Sequence, residues 1–186
     1  MKKFELTTES ITNKAGKKLF RIKALIEFGN VKAGELGGYV EKEGNVSQYG
    51  NAWVSGNAWV YGNARVSGDA RVSGNAWVYG NAWVSGDARV YGNAEVYGDA
   101  RVYGDARVSG NADYALIQGF GTEFRCTTFY RGKNKKIMVN CGCFHGDLDQ
   151  FREQVKETRS GKIAKEYLMI ADLMEYHFVS EDSGDE

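Results

Sequence analysis

The segment CGCFH places two thiols and an imidazole at alternate positions, Cys141, Cys143 and His145. On an extended strand all three side chains would point to one side, and Cys126 could lie on an adjacent strand. A structural zinc site needs four such nitrogen and sulfur ligands. Residues 141 and 145 are about 13 Å apart on a straight strand, however, which is too far to share one ion. Cys126, Cys141 and Cys143 are therefore weak metal candidates, and the apolar residues that precede them in the same phase favour a stripe of core residues.

Histidine is the commonest general base in enzymes, and the chain has only two, His145 and His177. Neither lies in the repetitive middle of the chain. His145 is a weak catalytic candidate, either as the base of an acyl transfer or in a Cys–His pair. His177 is predicted near the C-terminal end of a helix, where the helix dipole favours a histidine at the surface. The residue types therefore predict no catalytic centre.

The middle of the chain repeats a six-residue unit, V-[S/Y]-G-[N/D]-A-x, from Val54 to Val108. Because side chains alternate between the two faces of a strand, Ala and Val point to one face of a short strand and the variable residue points to the other. The G-[N/D] pair supplies a corner, because glycine adopts left-handed backbone dihedrals freely. So short a strand cannot bury its own valine, and the units must therefore stack on one another. Glycine keeps the same spacing back to Gly38, and there Val40 and Val46 are predicted in the alanine position.

This pattern resembles the hexapeptide-repeat proteins, in which an aliphatic residue is followed four places later by a small one. The resemblance implies a left-handed parallel β-helix with three hexads in each triangular coil, and about four coils over residues 38–113. For the enzymes among those proteins it also implies acyl or acetyl transfer. The run RIKALIEFGNVKAGELGGYVEKEGNVS resembles the opening of small bacterial and prophage proteins of the YdcK type, a resemblance that carries no established activity.

Segments of a different kind flank the repeats. Residues 1–37 contain two alternating stretches, KFELTTES and KKLFRIKALI, which predict a β segment that leads into the first coil. Residues 114–178 predict three strands and then two helices, the first with Asp147 as its N-cap, and such a unit would cap the solenoid. Residues 179–186 are acidic and predicted to be disordered. The predicted fold class is therefore mainly β, a left-handed parallel β-helix of about four coils with a small C-terminal α+β cap.

Coils of eighteen residues align the variable positions into outward columns, one of them rich in arginine and others in tryptophan or tyrosine. Exposed tryptophans mark contact surfaces, unless the flanking segments fold back and cover them. The predicted binding or interface residues are Trp53, Trp59, Trp77, Trp83, Arg71, Arg89, Arg107, Tyr61, Tyr79 and Tyr97.

Composition excludes several classes of protein. The 24 basic and 24 acidic residues balance, which argues against a general electrostatic attraction to nucleic acid. No apolar run approaches the roughly 20 residues of a membrane span, so no membrane segment is predicted. Three cysteines without a secretory signal fit a reducing cytoplasm.

Uniform hexads without an inserted loop or a histidine favour a non-catalytic scaffold or binding protein, bacterial or prophage-encoded, that needs no cofactor. It would engage a protein partner or itself, for example as a trimer, through the outward columns. Two alternatives stay open. One is a hexapeptide-type acyl- or acetyltransferase that uses acetyl-CoA. The other is sequestration of an anionic, nucleotide-like ligand by Trp53 and the arginines Arg71, Arg89 and Arg107.

Overall fold

The computed structural model describes residues 2–178, so the predicted disordered tail, residues 179–186, lies outside the described residues. The chain divides into two compact units, Met1–Asn111 and Ala112–Glu186. Neither helix of the described chain combines the length and the apolar character that crossing a lipid bilayer requires.

The first unit begins with three longer strands and continues with ten strands of two residues each. In chain order these are β1 (Phe4–Thr12), β2 (Lys18–Ala24), β3 (Leu36–Val40), β4 (Trp53–Val54), β5 (Trp59–Val60), β6 (Arg65–Val66), β7 (Arg71–Val72), β8 (Trp77–Val78), β9 (Trp83–Val84), β10 (Arg89–Val90), β11 (Glu95–Val96), β12 (Arg101–Val102) and β13 (Arg107–Val108).

The short strands stack into three parallel sheets, which we name by their side chains. The aromatic face contains β3, β5, β8 and β11, the arginine face contains β4, β7, β10 and β13, and the third face contains β6, β9 and β12. Partners on the arginine face are in register at a period of eighteen residues, as Arg71 with Arg89 and Arg89 with Arg107. The predicted parallel β-solenoid of about four turns is confirmed, and its variable positions align in columns at the predicted period of eighteen residues.

Valine and alanine fill the interior of the solenoid. All ten valines from Val54 to Val108 are at most 1% exposed, and each contributes about 1.5–3 kcal/mol of burial free energy. Backbone hydrogen bonds join successive coils, as where the Trp53 N–H donates to the Ala70 carbonyl at 3.1 Å. At the corners the glycine backbone is left-handed, with φ +68° at Gly86.

The first coil differs from the prediction. Val40 pairs with Val60 and Val46 with Val66, so both occupy the valine position and not the alanine position. These offsets are twenty residues, whereas Val54 pairs with Val72, eighteen residues on. The prediction was wrong because two extra residues, Gln48 and Tyr49, lengthen this coil. The glycines keep their six-residue spacing across this segment, so the spacing does not reveal the two extra residues.

The N-terminal segment extends the aromatic face and closes the first coil. Strands β1, β2 and β3 pair antiparallel, and β3 then pairs with β5 in parallel. The Lys3 Nζ donates to the carbonyls of Gly50 and Ala52, at 3.3 and 2.8 Å. On the third face the Asn45 Nδ2 donates in the same way to the carbonyls of Gly62 and Ala64 in the next coil, at 3.2 and 2.8 Å. In later coils the equivalent carbonyls accept hydrogen bonds from backbone N–H groups of the preceding coil. The Lys3 and Asn45 side chains therefore take the place of those N–H groups.

The second unit is an antiparallel sheet with two helices. Its elements are β14 (Tyr114–Phe120), β15 (Arg125–Arg131), β16 (Ile137–Cys141), β17 (Phe144–Asp147), α1 (Leu148–Thr158) and α2 (Gly161–Phe178), with the strands in sequential order. Phe129 and Val139 from the sheet pack with Phe151, Ile170 and Met174 from the helices. This unit therefore has a core of its own.

Two predictions for this unit have different outcomes. The Asp147 N-cap is confirmed, because its side chain accepts from the Gln150 N–H at 3.0 Å in a capping box. The sequence predicted three strands, but the structure has four, because the chain turns at Gly142, where φ is +62°. Cys141 then pairs with Phe144, and the continuous alternation assumed for residues 141–145 does not exist.

Candidate functional site

Trp53 begins the arginine face, and its side chain belongs to the core. It is 2% exposed, and the edges of two phenylalanine rings cover it, with centroid distances of 6.2 Å to Phe4 and 5.4 Å to Phe28. The N-terminal segment therefore removes this tryptophan from the surface, and it cannot stack on a ligand.

The tryptophans of the aromatic face form a stack that stays partly exposed. The indoles of Trp59 and Trp77 are 4.7 Å apart and 3° from parallel. Tyr39 pairs with Trp59 on one side, and Glu95 pairs with Trp77 on the other. The Arg21 guanidinium lies 5.3 Å from the Tyr39 ring, so a cation borders the aromatic column.

The predicted tyrosine column is also present. Tyr61 and Tyr79 stack at 5.0 Å, and Tyr79 and Tyr97 at 5.4 Å. Burial, followed by the negative charge of Glu95, raises the pKa of Tyr79 to about 12. Its hydroxyl therefore stays protonated at neutral pH and donates to the Glu95 carboxylate at 3.4 Å.

Trp83 is the most exposed of the four tryptophans, at 39%. Its indole N–H donates to the Ser67 hydroxyl at 3.0 Å, and its ring meets Tyr103 edge-on at 5.5 Å. Together with Lys42 and Arg65 it lines a groove of about 510 Å³ on the third face. This groove offers one indole face beside two cations.

The arginine face carries a groove of about 600 Å³ with three guanidinium groups. Arg71, Arg89 and Arg107 are neighbours in register on paired strands, about 4.8 Å apart from strand to strand. The other side of the groove is formed by the residues that follow valine, Ser55, Ser73 and Tyr91, and by Asn30 from the N-terminal segment. No acidic residue lines this groove in the described chain.

Arg107 is held by backbone carbonyls and not by a carboxylate. The Arg107 Nη1 donates to the backbone carbonyls of Asp87 and Asp105, both at 3.0 Å. Arg71 lies against Gly29, where an added Cβ would be 2.8 Å from its Nη2. Among the described residues, none of the three forms an ion pair within 4.0 Å, although aspartates precede each of them by two positions. Like charges on paired strands repel, so this column costs folding free energy.

Lys3 adds a fourth cation at the N-terminal end of the arginine face. It is 2% exposed, and burial followed by the positive charge of Arg71 lowers its pKa to about 8, while Asp69 acts in the opposite direction. Burial, more than the charge of Arg71, therefore disfavours the charged form of this side chain.

The candidates of the second unit do not assemble into a metal or Cys–His site. His145 is exposed and lies 3.0 Å from the Tyr130 hydroxyl. It pairs with Asn140, whereas Cys141 pairs with Phe144, so the two side chains lie on opposite faces of the sheet. No group of three potential ligands that could hold a metal ion exists in residues 2–178.

Sequence reasoning found the arginines but missed their neighbours in the groove. Ser55, Ser73 and Tyr91 share the eighteen-residue period, so the same folding of the sequence into coils could have identified them. Asn30 and Lys3 carry no such periodic signal, because they come from outside the repeat.

Comparison with known proteins agrees with the solenoid. The family model described as YdcK Beta solenoid repeat matches residues 54–74, 64–80, 70–86, 88–103 and 100–112. A comparison with curated proteins finds no match. Over its hexads the chain is therefore similar to the YdcK β-solenoid repeat, a likeness that describes a fold and names no activity.

Proposed function

We propose that this protein is a non-catalytic binding protein whose solenoid holds an anionic ligand in the groove of the arginine face. The observation that supports it most is the juxtaposition of Arg71, Arg89 and Arg107 in one groove without a lining carboxylate. Guanidinium groups present paired N–H donors that match phosphate and carboxylate oxygens.

The repulsion within the column supports a ligand of opposite charge. Three arginines in register destabilise the free solenoid, and an anion over them would convert that repulsion into attraction. The hydroxyls of Ser55, Ser73 and Tyr91 add neutral hydrogen-bond donors on the other side of the groove. The arrangement suits an elongated ligand with several anionic groups along the stacking direction.

The buried position of Trp53 narrows the ligand class. A nucleotide-like ligand on this face has no exposed indole on which its base could stack. The supported ligand is therefore recognised by charge, and a base is not required.

The finer features of the sequence interpretation stay part of this proposal. We expect the coil to be left-handed, as in hexapeptide-repeat proteins, and the protein to act in the cytoplasm, with its three cysteines as free thiols. Self-association through the aromatic column, for example as a trimer, stays a prediction that light scattering can measure.

The test is calorimetric titration with inorganic tripolyphosphate. Arg89 is central in the groove, and replacing its charge-assisted hydrogen bonds through Arg89→Gln should weaken binding by about tenfold or more. Raising the salt concentration should weaken binding to the unchanged protein, because the contacts are partly exposed charges.

Arg65→Gln is the matched control, because Arg65 is an exposed arginine in the same hexad position on the third face. Binding should be unchanged in this variant. Equal losses in the two variants, or an unchanged affinity in Arg89→Gln, would contradict the assignment of the ligand to this groove.

A further inference from the structure

A cavity of about 250 Å³ in the second unit contains two thiols beside two guanidinium groups. Cys141 and Cys143 line it from the hairpin between β16 and β17, and Arg125 lines it from β15. Arg159, the residue that follows α1, completes the cationic side. None of the residues that line this cavity is acidic. Two cationic side chains therefore lie beside both thiols.

Two hydroxyl groups also lie near the sulfur of Cys141. Its pairing with Thr127 across the sheet brings the Thr127 hydroxyl within 3.1 Å, as a donor to the Sγ. Tyr167 reaches the same cavity from α2, and burial, followed by the proximity of Cys141, raises the pKa of its hydroxyl. The protonated phenol is therefore a second polar group beside this sulfur.

The turn between the two cysteines brings them close together. Gly142 adopts φ +62°, and an added Cβ there would be 2.7 Å from the Arg125 Nη1. Two residues span about 7 Å when fully extended, which is the upper limit of the Cα separations of about 4.4–6.8 Å found in disulfides, and the turn at Gly142 shortens this separation. Cys143 is exposed and Cys141 is half-buried.

We propose that Cys141 and Cys143 form a redox-active dithiol that reduces low-molecular-weight disulfides. The exposed Cys143 thiol loses its proton to solvent, and its thiolate attacks one sulfur of the external disulfide. A mixed disulfide forms and the first thiol leaves. The Cys141 thiol then loses its proton to solvent and attacks the Cys143 sulfur. The bond of the mixed disulfide breaks, the internal disulfide forms, and the second external group leaves as a thiolate that takes up a proton. The protein dithiol is oxidised, and the external disulfide is reduced to two thiols.

The third cysteine is not part of this pair. Thr127 faces Cys141, so the side chain of Cys126, one residue earlier, projects from the opposite face of the sheet. Cys126→Ser therefore leaves the proposed site intact and simplifies its measurement.

The experiment uses the full chain with Cys126→Ser, reduced and then incubated with oxidised glutathione, with intact mass spectrometry and thiol titration as readouts. We expect a protein that has lost two hydrogens and both free thiols, and that dithiothreitol restores. Adding Cys141→Ser should stop the reaction at one glutathione adduct on Cys143. Circular dichroism of α1 and α2 shows that each variant folds.

Arg125→Gln tests the cationic environment in the same assay. The step that forms the internal disulfide should slow several-fold, and Arg125→Lys should restore most of its rate. Two persistent glutathione adducts, or two thiols that stay free with excess oxidised glutathione, would overturn the proposal. An unchanged rate in Arg125→Gln would overturn the role of the guanidinium.

Discussion

Lys3 shows how a buried charge can serve as a structural cap. Its ammonium group donates to two backbone carbonyls of the first coil, Gly50 and Ala52, which have no strand to pair with. Burial of the charge is unfavourable, and Arg71 adds repulsion, which together lower the pKa of Lys3 to about 8. The cap is therefore a hydrogen-bond donor that titrates near physiological pH.

Removing Lys3 should change how stability depends on pH. The pKa of Lys3 is about 8 in the folded chain and 10.5 ordinarily, so between these values the unfolded chain binds more protons. Stability should therefore rise with pH in this window, by up to about 3 kcal/mol. Lys3→Met should lack this rise, as measured by urea unfolding followed by tryptophan fluorescence.

Lys2→Met is the control, because the Lys2 side chain is exposed. It should keep the pH dependence of the unchanged protein. The pKa of Tyr79 is raised from 10.0 to about 12, so above about pH 10 the folded chain binds more protons than the unfolded chain, and this tyrosine lowers stability as the pH rises. All three proteins share that contribution, so the difference between their pH profiles reports Lys3. Parallel pH profiles for Lys3→Met and the unchanged protein would show that Lys3 is charged in the fold throughout.

At the scale of the element, the corners limit which sequences can build this solenoid. From Gly50 to Gly86 each corner glycine faces the glycine of the next coil, and at Gly86 an added Cβ would lie 2.9 Å from the Gly104 nitrogen. The left-handed backbone and the close approach both require glycine there. The repetition of glycine is therefore a steric requirement of stacking.

Gly86→Ala should destabilise the first unit by about 1–2 kcal/mol, the cost of a side chain in the left-handed region, and by more if the clash is not relieved. Chemical denaturation followed by tryptophan fluorescence measures this change. Gly44→Ala is the matched control, because its φ is not left-handed and an added Cβ meets no atom within 4 Å. A loss as large in Gly44→Ala would mean that glycine content, and not corner geometry, sets stability.

The elements that could be predicted from the sequence are those whose residues repeat at a fixed spacing. Val54 and the later valines share one phase, and the interior follows directly. The positions of Val40 and Val46 within the repeat could not be predicted. Gly38 keeps the six-residue spacing of the corner glycines, but it lies in β3 at the position that alanine takes in the later coils. The alternation around Cys141 likewise looked continuous, since only the backbone at Gly142 reveals the turn.

At the scale of the whole molecule, the two units have separate cores and separate spectroscopic signals. All four tryptophans lie in the first unit, and both α-helices lie in the second. Valine and alanine form the first core, whereas aromatic and long aliphatic side chains form the second. Each unit can therefore be followed by its own probe.

Phe151→Ala should destabilise the second unit by about 3–5 kcal/mol, because a buried aromatic side chain is lost. The loss of helical circular dichroism should move to lower denaturant, while the tryptophan fluorescence transition stays in place. Val72→Ala, in the first core, should do the reverse. Equal shifts of both signals in either variant would show that the units unfold as one.

The candidate binding site could also be predicted only in part from the sequence. The arginine column could be predicted, because its members lie eighteen residues apart in one repeat. Which tryptophan the flanking segments cover could not be predicted, since the burial of Trp53 depends on Phe4 and Phe28 from a segment without periodicity. Contacts between segments distant in sequence leave no local pattern in either of them.

The capping of the first coil also bears on how long the solenoid can become. A parallel stack is an open-ended template, because the backbone groups of a terminal coil can pair with any other strand. Lys3 and Asn45 occupy the carbonyls through which a second molecule could add. A chain that lacked this segment would present them to the backbone N–H groups of neighbouring molecules. The residues before the hexads thus block this end of the stack against further strands.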